Sequence, residues 1–214
     1  MPLQNRVDPF GRIVAHPTRG LFTGNRGIIH DPDSRTLLKR RWSTKAWIIC
    51  TCDYKGRKRD VMGHNGHGNG AGWTNLFFLD EVTALTAGHR PCFFCRYEQA
   101  KSFRRLHAEA VDRKKATATE IDTRLHAERL ASGGRPAPIA VQELQDLPDG
   151  AMIADGANGY ALRAGMFLPW SFDGYGAPRL PSAFEPKTLT LLTPPTTLAV
   201  LRRGYEPVWH ASAS

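Results

Sequence analysis

At 214 residues, with 41% hydrophobic and 23% charged residues, the chain is long enough for one good core or for a core with an appended smaller module. Lysine and arginine total 29 against 20 aspartates and glutamates, a formal charge of +9. That sign suits an anionic partner, nucleic acid first. No apolar run approaches the roughly 18 residues of a membrane helix, which excludes a helical membrane span. The opening residues Met1–Arg6 lack the apolar centre of a signal peptide, so a cytoplasmic protein with reduced thiols is expected.

Residues 1–35 are rich in Gly, Pro, Asp and Asn, with a turn at Gly24-Asn25-Arg26-Gly27 and a brief strand toward His30. His30 is a candidate metal ligand or base, set against a plain structural histidine. Residues 36–62 hold the densest charge. Arg40 and Arg41 precede Trp42, and Lys55, Arg57, Lys58 and Arg59 follow Tyr54. Basic residues interleaved with aromatics fit a surface that grips phosphates and stacks bases. Between them Ala46–Cys52 has strand composition, and alternation along a strand turns Cys50 and Cys52 to one face. The chain then reads as a hairpin turning at Asp53–Gly56. His64 and His67 lie in a glycine-rich stretch, residues 63–72, expected to be a mobile insertion.

Trp73–Leu79 reads as a strand, Asp80 as an N-cap, and Gly88 as the stop of a short helix. A second helix is expected from Phe93 or Phe94 to about Lys114, burying Phe94, Tyr97, Ala100, Phe103, Leu106 and Ala110. A third follows over 118–131, with Ile121, Leu125 and Leu130 inward and with His107 and His126 at the surface. Ser132–Pro138 marks a boundary. Beyond it a short helix from Val141 to Leu147 precedes strand-like segments, a hairpin turn at Asn158-Gly159, and a closing helix stopped by Gly204. Trp170, Phe172 and Tyr175 in the loop after Pro169 read either as a base-stacking platform or as a packed corner. The fold expected is α+β: a zinc-centred, basic domain over residues 1–131 with a helical middle, and a small β-rich module over residues 138–214.

The chain has four cysteines, Cys50, Cys52, Cys92 and Cys95. Two pairs of reduced thiols make zinc the expected cofactor. The Cys92-Phe93-Phe94-Cys95 knuckle is the specific signal, since its turn aims both sulfurs at one ion. The CxC pair is weaker. Either all four thiols bind, or Cys50, Cys92 and Cys95 are joined by His30 or His89.

The stretch Phe77-Phe78-Leu79-Asp80-Glu81-Val82-Thr83-Ala84-Leu85-Thr86-Ala87-Gly88-His89-Arg90-Pro91-Cys92-Phe93-Phe94-Cys95 resembles the second half of the Ada-type metal-binding module. The resemblance implies one zinc on four cysteines and action on DNA in alkylation repair, with one thiolate of the first pair accepting a methyl group from a phosphotriester. Here the first pair is CxC where the family has CxxxC, and His89 stands where the family has an aromatic residue. The expectation is therefore a zinc-containing DNA-binding protein for modified or damaged DNA, contacted through Arg40, Arg41, Lys55, Arg57, Lys58, Arg59, Arg90, Trp170 and Tyr175. The alternatives are a metal-dependent nuclease, glycosylase or other hydrolase of nucleic acid, with His30, Asp31 or Glu81 near the reaction, and a methyl-acceptor repair protein. A zinc-stabilised adaptor for other proteins is a further class.

Overall fold

Short strands form two six-stranded sheets in the computed structural model, which describes residues 1–56, 60–184 and 189–214. The first sheet takes β1 (Gln4–Val7), β2 (Ile13–Ala15), β3 (Phe22–Asn25), β6 (Ile48–Thr51), β7 (Leu76–Phe78) and β8 (Arg90–Pro91), in the order β2-β1-β7-β3-β6-β8. A separate ladder joins β4 (His30–Asp31) to β5 (Thr36–Leu37). Helix α1 (Glu81–Thr86) separates β7 from β8, and α2 (Tyr97–Ala110) and α3 (Ala118–Glu128) follow. The second sheet, all antiparallel, takes β9 (Ala137–Ile139), β10 (Met152–Asp155), β11 (Asn158–Arg163), β12 (Met166–Ser171), β13 (Gly174–Tyr175) and β14 (Leu189–Leu191), and α4 (Pro195–Arg202) comes after it. The class is α+β, as expected.

Several local signals hold. Asp80 caps α1, its carboxylate accepting the Thr83 N–H at 2.9 Å. Gly88 follows the helix at φ +79°, and a Cβ there would meet the Arg129 side chain at 2.7 Å. Glycine is thus required both by the backbone turn and by the close approach. Ala100, Phe103 and Leu106 form the inner face of α2, and Ile121 and Leu125 that of α3.

Other signals mislead. Helix α2 starts only at Tyr97, because the Arg96 N–H bonds back to the Cys92 carbonyl at 3.0 Å and closes the knuckle turn first. Phe94 and Tyr97, expected inside, are 62% and 52% exposed. His107, expected at the surface, is buried. Among the described residues no strand after Cys52 returns to pair with β6, which pairs with β3 and β8 instead, and residues 57–59 of the expected hairpin lie outside the described residues. The turn between β10 and β11 falls at Gly156-Ala157, where Gly156 takes φ +60°, while Asn158 and Gly159 pair inside the ladder. The stretch 63–72 is tied down, with His64 Nδ1 2.5 Å from the Asn69 carbonyl and its Nε2 3.0 Å from Asp33.

The second sheet begins with β9 at Ala137, inside the stretch 132–138 read as a boundary, and the hydrophobic clusters run across that stretch. Val200, Leu201 and Tyr205 join Phe103, Leu106, Ile121 and Leu125 in one cluster, and Leu79 and Val82 join Met152, Ala161 and Leu168 in another. Glu81, fully buried, receives Arg96 in a bidentate pair at 2.8 Å and accepts from the Tyr205 hydroxyl at 2.6 Å and the Val208 N–H at 3.0 Å.

Part of the positive charge goes into this interior. Arg26, Arg90, Arg96 and Arg129 are all buried. Arg26 and Arg129 lie 3.9 and 3.6 Å from the centre of the Trp47 ring, and burial pulls each down to about 9.

Candidate metal centre

The site begins with the edge strand β8. It runs parallel to β6, with the Arg90 N–H on the Trp47 carbonyl and the Cys92 N–H on the Ile49 carbonyl, both at 3.0 Å. Pro91 lacks an N–H and is tolerated because β8 is the last strand of the sheet. This short ladder delivers the Cys92–Cys95 knuckle to Cys50 on β6. The sulfurs of Cys50, Cys92 and Cys95 all lie within 4.8 Å of one another. The Phe94 N–H donates to Cys92 Sγ at 3.3 Å, as expected of a turn that steadies a thiolate.

Without a cation the three sulfurs share protons. Hydrogen bonds from Cys50 and then Cys95 pull the Cys92 thiol far down, and the bond to Cys92 pushes Cys50 far up. Cys95 is drawn down by Cys50 but driven up overall by Cys92 and by burial. Three sulfurs this close perturb one another's protons strongly, and a soft cation would replace those S–H contacts with direct bonds. Three reduced thiols and no disulfide fit a thiophilic metal such as zinc.

Cys52 is outside the cluster. Strand β6 ends at Thr51, so alternation no longer governs the next residue. The exposed Cys52 thiol faces the carbonyls of Gly20 and Leu21 at 3.9 and 3.5 Å. Neither alternative histidine is a member. His30 Nδ1 is 2.7 Å from Thr74 Oγ1 and its Nε2 is 3.5 Å from the Gly63 carbonyl. His89 is fully buried beside Phe78 and Trp47, accepting from Arg26 Nε at 3.3 Å, and burial holds it neutral.

A cavity of about 180 Å³ opens beside the cluster, with Cys50, Cys52 and Cys95 in its wall. Tyr54, Trp73, Phe77 and Phe94 give it aromatic surface, and Asn25, Thr74 and Asn75 give it polar groups. Its volume is below the roughly 300–1,000 Å³ of drug-sized sites, so it suits one small planar or alkyl group. Sequence reasoning missed Phe94 and Trp73 here. The signal was present for Phe94: in a CxxC knuckle whose sulfurs point inward, an intervening side chain is turned outward.

The expected nucleic-acid residues divide. Arg40 and Arg41 are exposed, though Arg40 donates to the Ile28 carbonyl at 3.1 Å and Arg41 to those of Leu38 and Lys39. Lys55 is exposed, its ammonium 5.4 Å from the Tyr54 ring centre. Arg57, Lys58 and Arg59 lie outside the described residues. Arg90 is committed elsewhere: it is buried in a bidentate pair with Asp122 at 2.8 Å. Tyr175 is also committed, its buried hydroxyl donating to Asp80 at 2.9 Å, and the Trp170 indole donates to Thr83 at 2.9 Å. The polar ends of both side chains are thus spent in a packed corner against α1. Glu81 is likewise held by Arg96 and Asp31 by Ser34.

Among the described residues no helix is long and apolar enough to cross a membrane. No family model, curated protein or solved structure matches the chain. Fold and site together define an α+β chain with a three-cysteine cluster able to hold a metal ion.

Proposed function

We propose that this is a zinc-thiolate protein that binds DNA and presents Cys50, Cys92 and Cys95 to a modified or damaged nucleotide. The observation that carries the reading is the convergence of three thiols beside an aromatic-walled cavity. Closed structural zinc sites take four protein ligands, whereas three leave a position for water or substrate. Zinc bound here would keep the thiols deprotonated at neutral pH. The resemblance of residues 77–95 to the Ada-type module supports the same chemistry, with the acceptor sulfur supplied by Cys50, which both lines the cavity and belongs to the cluster, and not by Cys52, which lines the cavity but stands outside the cluster.

Methyl acceptance fits the wall better than hydrolysis does. No carboxylate or imidazole is among the described residues lining the cavity, and hydrolysis calls for a general base. In the transfer, an S–C bond forms at Cys50 Sγ as the C–O bond of a methyl phosphotriester breaks, and its electron pair stays on the phosphate oxygen. Incubation with an oligonucleotide bearing that triester, followed by peptide mass spectrometry, is expected to find one methyl group on Cys50. Zinc uptake with no methyl on Cys50 would refute the acceptor reaction; a protein that never binds stoichiometric zinc would refute the whole reading.

One observation favours a hydrolytic alternative. Thr74 lines the cavity and its hydroxyl lies 2.7 Å from His30 Nδ1, an imidazole that burial keeps neutral. Thr74 stands in the wall and His30 behind it, so the pair would relay a proton from water in the cavity. Release of a base or a strand fragment from the same oligonucleotide would favour it.

A further inference from the structure

Positive charge gathers away from the segments that the sequence singles out. Between the outer flank of α2 and the start of α3 runs a groove of about 820 Å³. Lys101, Arg104, Arg105, Arg113, Lys114 and Lys115 line it, against two carboxylates, Glu98 and Glu109. Three of the cations make ion pairs, Lys101 with Glu98, Arg105 with Glu109 and Arg113 with Glu120. All are solvent-exposed, hence weak and easily exchanged for phosphate. Arg104, Lys114 and Lys115 form no ion pair among the described residues.

The groove connects to the thiol cluster. Arg104 lies 5.3 Å from the ring centre of Phe93, the residue after Cys92, and Lys101 lies 5.3 Å from the ring of Tyr97. Tyr97 in turn follows Phe94 by three residues, and Phe94 stands 5.1 Å from Tyr54 in the cavity wall. Phe94, Tyr97 and Trp73 are each more than half exposed. Seen from the cavity, aromatic faces therefore come first, cations follow on α2 from Lys101 to Arg105, about 6 Å at 1.5 Å per residue, and Arg113, Lys114 and Lys115 continue the groove beyond the end of the helix. Duplex DNA hides its base faces by stacking; a single strand or an extruded nucleotide offers them.

We infer that a single-stranded nucleic acid lies along this path, its phosphates in the α2–α3 groove and its bases on Phe94 and Trp73 at the cavity mouth. The inference rests on the nucleic-acid reading above and adds the surface and the strandedness. A fluorescent single-stranded oligonucleotide of about twelve nucleotides, read by anisotropy across a salt series, tests it. The wild-type protein should bind it more tightly than the matching duplex. K114A/K115A should bind more weakly, with a salt slope shallower by about 1.4, at 0.7 per phosphate contact. Phe94→Ala and Trp73→Ala should each lose about tenfold in affinity with the slope unchanged, and R40A/R41A should bind like wild type. Should K114A/K115A keep the wild-type affinity and slope, or the duplex bind better, the inference fails while the nucleic-acid reading survives. A folded wild-type protein that binds neither strand form at low salt would overturn both.

Discussion

Replacing Asp80 by alanine should cost about 3–5 kcal/mol of folding free energy. The carboxylate is fully buried and accepts four hydrogen bonds, from the Thr83 N–H and hydroxyl at 2.9 and 2.8 Å, the Tyr175 hydroxyl at 2.9 Å and the His210 N–H at 3.1 Å. Loss of the cap contributes about 1 kcal/mol. The Tyr175 hydroxyl and His210 N–H then lack their acceptor, at about 1–3 kcal/mol each. Relief of a buried carboxyl, whose proton affinity burial already raises, offsets part of that sum. For a chain of this size each kcal/mol moves Tm by about 2–4 °C, so a fall of about 6–20 °C is expected. Asp80→Asn, which keeps acceptor capacity but turns an NH₂ toward two donors, should fall between wild type and alanine. Urea titration followed by tryptophan fluorescence and by circular dichroism gives the free energy and its cooperativity. Because Asp80 joins α1 of the first half to β13 and the C-terminal segment, both probes should report one transition. A cost under about 1 kcal/mol, or two separated transitions in the wild type, would refute the bonding scheme and the shared core.

Native mass spectrometry should find one zinc per chain in wild type and in Cys52→Ser, with uptake abolished or weakened at least a hundredfold in Cys50→Ser; equal loss in both variants would return Cys52 to the ligand set. Asp122→Ala should cost about 3–5 kcal/mol by leaving the Arg90 cation buried without its partner. The same variant, assayed while folded, should bind oligonucleotides as wild type does, since Arg90 is not at the surface. Stability should decline as the pH falls below 6.5. Burial holds His30, His89, His107 and His126 below their ordinary value, so the unfolded chain binds more protons than the native one in that window. His107 Nδ1 is buried with no partner among the described residues, so His107→Leu should flatten this acid limb; a limb as steep as wild type in denaturation midpoints at pH 5.5 and 8 would count against it.

Local chemistry made part of the molecule legible without coordinates. Asp80 as a cap, Gly88 as a stop, Ala100, Phe103 and Leu106 as an inner face, and Cys92 with Cys95 as a knuckle are each set by residues a few positions apart. Their geometry follows from one turn of backbone. The decisions that needed the tertiary structure all depend on contacts across long separations. Cys50 meets the knuckle because β8 pairs with β6, and Cys52 does not because β6 stops at Thr51. Arg90 leaves the basic surface because Asp122 reaches it from α3, and Tyr175 leaves the stacking platform because Asp80 needs its hydroxyl. Charge and aromaticity are readable in a chain, but whether they face solvent is decided by burial, and burial is a property of the packed whole.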